Sequence, residues 1–202
     1  MAVAEGKPFF VWYAPFLPHE PHTPPVRLFE KYKAKGVRSE RVARYYAMVE
    51  WLDETCGQLL SHLEARNVRS NTLVIYLGDN GWIQQPDTAG FAPRSKQSPY
   101  EGGVRQPTMF CWPGVIRPGC RGEELCSSLD VFPTALAAAG VRPPPGLPGY
   151  NLLPVLKSGE PTPRKAVFGE TFAHDVADID DPERSLLYRW VIEGPWKLLL
   201  TY

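Results

Sequence analysis

The sequence predicts an α/β fold with a mostly parallel central sheet flanked by helices, followed by the start of a small antiparallel C-terminal subdomain. Three observations predict it. A long stretch with apolar residues at helical spacing separates two short apolar runs, which is the order strand, helix, strand. One of those runs, Leu73-Val74-Ile75-Tyr76-Leu77, is continuously apolar, as in a strand covered by helices on both faces. The C-terminal part carries further short runs rich in aromatic and branched residues, two of them joined by a Gly-Pro turn.

Taken in order, Phe9-Phe10-Val11-Trp12-Tyr13 is the first expected strand. Residues 14–25 contain five prolines and a His19-Glu20-Pro21-His22 segment, so they form a rigid loop leaving a strand end. From Ser39, a residue suited to an N-cap, apolar side chains recur at Val42, Tyr45, Tyr46, Val49, Leu52, Cys56, Leu59, Leu60 and Leu63, which predicts a long amphipathic helix. The strand at 73–77 closes a βαβ unit. Residues 108–112 read as another strand, and 129–140 as a short helix stopped by Gly140. The proline- and glycine-rich residues 142–148 mark a turn or boundary. Residues 166–169, 188–192 and 196–200 read as strands, the last two forming a hairpin through Glu193-Gly194-Pro195. The expected division is a catalytic-type domain over 1–158 and the start of a C-terminal subdomain over 159–202.

With 202 residues, 44% of them hydrophobic and 22% charged, the chain is long enough to bury a core and is not of disordered composition. Twenty-two acidic side chains balance 22 basic ones, which excludes the basic footprint of a nucleic-acid binder or a polybasic membrane anchor. Any anionic substrate has to be held by local charges. Cys56, Cys111, Cys120 and Cys126 lack the close paired spacing of a zinc site, and Cys111 is expected to be a buried structural cysteine. No run reaches membrane-spanning length, and residues 1–8 lack the apolar core of a signal peptide. A strand follows so soon after Met1, and Tyr202 so soon after the last one, that both ends read as cut.

The chemistry centres on Leu77-Gly78-Asp79-Asn80-Gly81. A carboxylate and an amide oxygen side by side are hard donors that favour Ca²⁺ or Mg²⁺, although Asp-Asn-Gly is also a favoured turn sequence. In open α/β sheets ligands bind beyond the carboxyl ends of strands, where both the His19 loop and the Asp79-Asn80 pair are placed. Lys96 follows as a nearby cation, which by itself reads equally as a solvated loop lysine. Glu101 and Arg105 flank a Gly-Gly turn and read as loop support through an ion pair, and His174 and Asp175 as surface polar residues. The six tryptophans are assigned mainly to the core, except Trp82, which directly follows Asp-Asn-Gly and is placed at a cleft wall.

These segments in this order, Phe9-Phe10-Val11-Trp12-Tyr13 with His19-Glu20-Pro21, Thr72 to Gly81, Lys96 with Tyr100-Glu101-Gly102-Gly103-Val104-Arg105-Gln106-Pro107, Trp112-Pro113-Gly114 and Ser127-Ser128-Leu129-Asp130-Val131-Phe132-Pro133-Thr134, closely resemble the formylglycine-dependent sulfatases. The resemblance runs from Lys7 to about Leu200. It implies an alkaline-phosphatase-like α/β sandwich and hydrolysis of sulfate esters of small molecules or carbohydrates. It matches Asp79 and Asn80 to the second pair of metal ligands, usually to calcium. Lys96 is matched to the lysine that neutralises charge on the bridging oxygen, and His19 to the histidine beside the ester, with His22 at the substrate entrance.

The same resemblance implies a formylglycine made from Cys or Ser in a Cys/Ser-x-Pro-x-Arg segment, and none occurs in the chain; Cys111-Trp112-Pro113-Gly114-Val115 has Val115 where arginine is needed. The first metal-binding aspartates and the nucleophile are therefore expected upstream of Met1, and the isolated chain is expected to be inactive. Two other readings stand beside a sulfatase. One is a non-catalytic remnant keeping the fold as a binding or structural domain. The other is a phosphoesterase or phosphonate hydrolase of the same superfamily, whose members more often carry histidine where Asn80 stands. The family is commonly exported, periplasmic or lysosomal, and nothing in this chain specifies compartment or oligomeric state.

Overall fold

A computed structural model describes residues 5–202, so the leader reading of residues 1–8 falls partly outside the described range. The chain divides into two compact units, one of residues up to Ser61 together with Gln84–Ala89, the other of His62–Ile83 and Gly90–Tyr202. Among the described residues no helix is long and apolar enough to cross a membrane.

In the first unit, residues 9–13 join no strand among the described residues, and Phe10 and Trp12 are 82% and 85% exposed. The βαβ expectation is corrected here: a β-prone, apolar segment becomes a strand only when a neighbour satisfies its N–H and C=O groups. Trp12 likewise is not core. The cis peptides Leu17-Pro18 and Glu20-Pro21 shape the following loop. Helix α1 (Val26–Ala34) was not expected. It starts directly after Pro25, whose carbonyl accepts the Leu28 and Phe29 N–H groups, so the proline run that looks like a breaker ends in a helix start.

Helix α2 (Glu40–Ala65) is the long helix the periodicity predicts, with the Val42 N–H donating to Ser39 Oγ at 3.3 Å. Its buried face differs from the predicted stripe. Ala43, Ala47 and Met48 are buried with Leu28 of α1, whereas Tyr46, Val49 and Leu59 are exposed. The two alanines bring the smallest side chains to the buried side, where small size permits close approach, and the bulkier apolar residues lie to either side. Arg27 pairs with Glu54 and Lys31 with Glu50, tying α1 to α2. Such exposed pairs set geometry more than they stabilise.

The second unit holds β1 (Val74–Leu77) and β2 (Thr108–Cys111), which pair antiparallel with Val74 opposite Cys111 and Leu77 opposite Thr108. The α/β class holds, but the expected parallel neighbours of β1 are not among the described residues, and β1 is half-buried rather than covered on both faces. Helix α3 (Glu101–Val104) precedes β2. Helix α4 (Val131–Ala138) ends at Gly140 with φ +70°, as the glycine stop predicts. Helix α5 (Leu153–Ser158), closed by Gly159 in the left-handed region, was not expected.

Strands β3 (Ala166–Phe172), β4 (Leu186–Glu193) and β5 (Trp196–Thr201) form an antiparallel meander. Glu193 pairs with Trp196 around the two-residue Gly194-Pro195 loop, so the predicted hairpin is present, with strands longer than the apolar runs alone marked. On one face Trp190 lies so close to Gly169 that a Cβ there would sit 2.1 Å from the indole. On the other, Phe168, Val191 and Leu198 stand in one cross-strand row, Phe168 is 75% exposed and Trp196, another tryptophan assigned to the core, is 79% exposed.

Candidate functional site

In the second unit the turn after β1 is built on close backbone approach. The Gly78 N–H donates to Pro107 O at 3.2 Å, and the Gly81 N–H to Gly103 O at 2.9 Å. A Cβ on Gly81 would lie 1.7 Å from Gly102 O, one on Gly102 2.5 Å from Arg94 O, and one on Gly103 2.3 Å from Ser98 O and 2.4 Å from Ser95 O. The Gly-Gly pair is thus a contact surface for the Asp79-Asn80 turn on one side and for the Lys96 loop on the other. Gln106 Nε2 donates to Gly103 O at 3.0 Å and holds the third side.

Asp79 is exposed and makes no hydrogen bond or ion pair among the described residues. Asn80 Nδ2 donates to Gly81 O at 3.2 Å, which leaves Oδ1 as the acceptor of its amide. Two hard oxygen donors thus stand on adjacent residues just after β1, and these fit a Ca²⁺ or Mg²⁺ ion in kind. Among the described residues no group of three or more His, Cys, Asp or Glu side chains completes such a site.

Lys96 lies in the adjoining loop, half-buried, with Nζ 5.6 Å from the centroid of the Trp82 ring; Phe91 packs edge-on against that ring at 5.3 Å. The ring face attracts the ammonium and limits where it points. Trp82 therefore stands beside Lys96. The loop is anchored by Ser95, fully buried, whose Oγ accepts the Ile83 N–H at 2.7 Å and whose carbonyl accepts from Ser98 Oγ at 2.6 Å. Sequence reasoning missed Ser95, because a lone serine in a polar loop carries no periodic or motif signal.

Glu101 receives Lys197 of β5 at 3.1 Å and Arg105 at 3.9 Å, which supports the reading of these charges as loop support and adds an unforeseen partner in Lys197. His174 and Asp175 are exposed. Cys111 corrects expectation: it is exposed, its sulfur accepting from Arg69 at 2.8 Å, because an edge position on β2 faces outward.

His19 and His22 belong to the first unit. His19 is exposed, with its Nδ1 donating to Glu20 O at 2.8 Å and its ring 4.9 Å from that of Phe16. A carbonyl only accepts, so in the neutral ring the proton sits on Nδ1 and Nε2 is the basic nitrogen. His22 is half-buried with its ring 5.5 Å from Tyr45. Burial lowers its pKa below the usual 6.5, opposed by the neighbouring Glu20 carboxylate. A histidine depressed in the folded state resists protonation there, so its contribution disfavours the fold as pH falls below the unfolded value and vanishes above it. In a proton-NMR titration His22 should report a midpoint below 6.5, moved up towards that value in Tyr45→Ala; an unshifted wild-type midpoint would contradict the packing.

The family profile described as Sulfatase matches residues 2–141. The chain is 34% identical over 164 residues to human N-acetylgalactosamine-6-sulfatase, covering 77% of this chain and 30% of that protein. It is 35% identical over 172 residues to human arylsulfatase A, covering 83% and 32%. The solved structure of Ps i-CgsB superposes with a TM-score of 0.80 at 27% identity, covering 98% of this chain and 42% of that one. The chain thus spans about a third of the length of the curated relatives it matches. Solved sulfatase structures share its alkaline-phosphatase-like α/β fold. A profile match over most of the chain, together with the ordered motifs around Asp79, Lys96 and Gly102-Gly103, places it in the sulfatase family.

Proposed function

We propose that the chain serves a sulfuric ester hydrolase acting on sulfated carbohydrates, with Asp79 and Asn80 as two ligands of a divalent cation, Ca²⁺ before Mg²⁺. The observation that carries this is the pairing of two hard oxygen donors at the end of β1 with Lys96 on a loop packed against the same Gly102-Gly103 surface. The name of the N-acetylgalactosamine-6-sulfatase relative supports a carbohydrate ester.

Bound there, the cation would supply positive charge to the sulfate oxygens. Lys96 contributes an ammonium held near Trp82, which neutralises charge developing on the bridging oxygen. The family resemblance assigns His19 to the departing alkoxide; with Nδ1 donating to Glu20 O, Nε2 would first have to take up a proton, giving the imidazolium, before passing that proton on. The formylglycine that the family uses as nucleophile has no Cys/Ser-x-Pro-x-Arg segment among these 202 residues.

Titrating Ca²⁺ into the ¹⁵N-labelled chain should shift the amides of Asp79, Asn80 and Gly81 saturably and reversibly with EDTA, and Asp79→Ala should abolish the response. With only two protein ligands the affinity should be weak. Amides that do not respond at millimolar Ca²⁺ would count against the reading and favour a non-catalytic binding domain.

A further inference from the structure

A cavity of about 480 Å³ lies wholly within the first unit, lined by Glu20, Pro21, His22, Arg41, Arg44 and Gln84. That volume is within the range, roughly 300–1,000 Å³, of sites that take small molecules. Its charges are balanced. Arg44 donates to Glu40 Oε1 from Nε at 2.9 Å and from Nη2 at 2.8 Å, and the lining holds one carboxylate, Glu20, besides the Arg41 guanidinium. A bare anion would therefore find little net attraction, whereas a neutral ligand would find many oriented partners.

Those partners suit hydroxyl groups. Arginine only donates, Glu20 only accepts, and an amide such as Gln84 does both, while each sugar hydroxyl can donate and accept. Gln84 is 9% exposed and its Nε2 donates to Gln85 O at 3.1 Å, so the amide has a set direction. Arg44 is pinned from behind by the Phe29 ring, 4.6 Å from its guanidinium carbon. Ordering done in advance is not charged against binding. Pro21 and the His22 ring, held against Tyr45, add apolar faces of the kind that pack on the C–H side of a pyranose. The depressed pKa of His22 keeps that ring neutral near pH 7.

We propose that this cavity is a subsite for an uncharged pyranose unit of an oligosaccharide, with Arg41, Arg44, Gln84 and Glu20 on its hydroxyls and Pro21 and His22 against its face. The proposal rests on the sulfated-carbohydrate reading and extends it, since an unsulfated pyranose unit is a part of such a substrate that a small aryl sulfate lacks.

The test uses the ¹⁵N-labelled 202-residue chain with neutral tetrasaccharides of galactose and of glucose as probes, and inorganic sulfate as competitor. One of the sugars should shift the Gln84 side-chain amide and the His22 ring protons saturably. Gln84→Ala and Arg41→Ala, each confirmed as folded by its amide spectrum, should weaken that binding about five-fold or more, the loss expected for one hydrogen bond of about 1 kcal/mol. Asp79→Ala should leave it unchanged. Absence of a saturable response to every sugar would overturn the subsite, as would binding indifferent to both cavity variants. Displacement of the sugar by sulfate, with the same resonances shifted, would overturn it in favour of an anion site. The Ca²⁺ response at Asp79 and Asn80 is read separately, so a subsite that fails while that response persists leaves the sulfatase reading standing.

Discussion

Replacing Gly81 by alanine is expected to dislodge the Asp79-Asn80 turn and to destabilise the chain by about 3 kcal/mol, at the upper end of overpacking costs. The added Cβ would lie 1.7 Å from Gly102 O, 2.6 Å from its carbonyl carbon and 3.0 Å from Gly103 Cα. All three are backbone atoms, so no side chain can swing aside. Relief requires the turn to retreat, which breaks the 2.9 Å bond from the Gly81 N–H to Gly103 O. Thermal denaturation should show a Tm lower by roughly 6–12 °C, at about 2–4 °C per kcal/mol for a chain of this length. The Ca²⁺ response of Asp79 and Asn80 should disappear with it. A variant with unchanged Tm and an intact Ca²⁺ response would show that the turn is not clamped in this way.

The second large effect is expected at Asp130, whose side chain is fully buried at the head of α4. Oδ2 accepts the Ser127 N–H at 2.8 Å, Oδ1 accepts the Tyr150 N–H at 2.8 Å, and the guanidinium of Arg164, itself largely buried and stacked on Tyr150, forms a close ion pair with it. One carboxylate thus joins the start of α4 to the segment before α5 and to the approach to β3. Thr134 adds to the same junction by accepting the Leu152 N–H at 2.9 Å. Asp130→Ala strands a buried guanidinium and two backbone donors, a change expected to cost about 3–5 kcal/mol. Chemical denaturation should show a markedly lower midpoint. The double variant Asp130→Ala with Arg164→Met should recover part of the loss, because the unpaired charge goes with its partner. Equal stability of the single and double variants would show that the ion pair is not the source.

Much of the fold was legible because its signals are local. The spacing from Val42 to Leu63 gave α2 its place and Ser39 its cap, Gly140 marked the end of α4, and Gly194-Pro195 marked the β4–β5 hairpin. Helix α1 was hidden by the prolines in front of it, and α5 by its brevity. The segment at 9–13 shows the limit of pattern: its residues are β-prone, yet pairing needs a second strand, and composition does not carry that information.

The candidate site divides in the same way. Asp79, Asn80 and Lys96 are recognisable from order and residue type, since a carboxylate, an amide and an ammonium have their chemistry wherever they stand. Gly81 is different. In the sequence it looks like a turn glycine, but its backbone is not in the left-handed region and its lack of a side chain serves the contact with Gly102. The burial of Ser95, the Asp130–Arg164 junction, the choice of Ala43 and Ala47 as the inward face of α2, and the cavity around Arg41 and Gln84 share that character. The sequence by itself determined where the main helix and the C-terminal strands run, which residues are candidates for the chemistry and which family the chain belongs to. Only the tertiary structure decided which surfaces meet, because periodicity and motif are properties of neighbours along the chain, whereas contact and burial depend on residues brought together from distant positions.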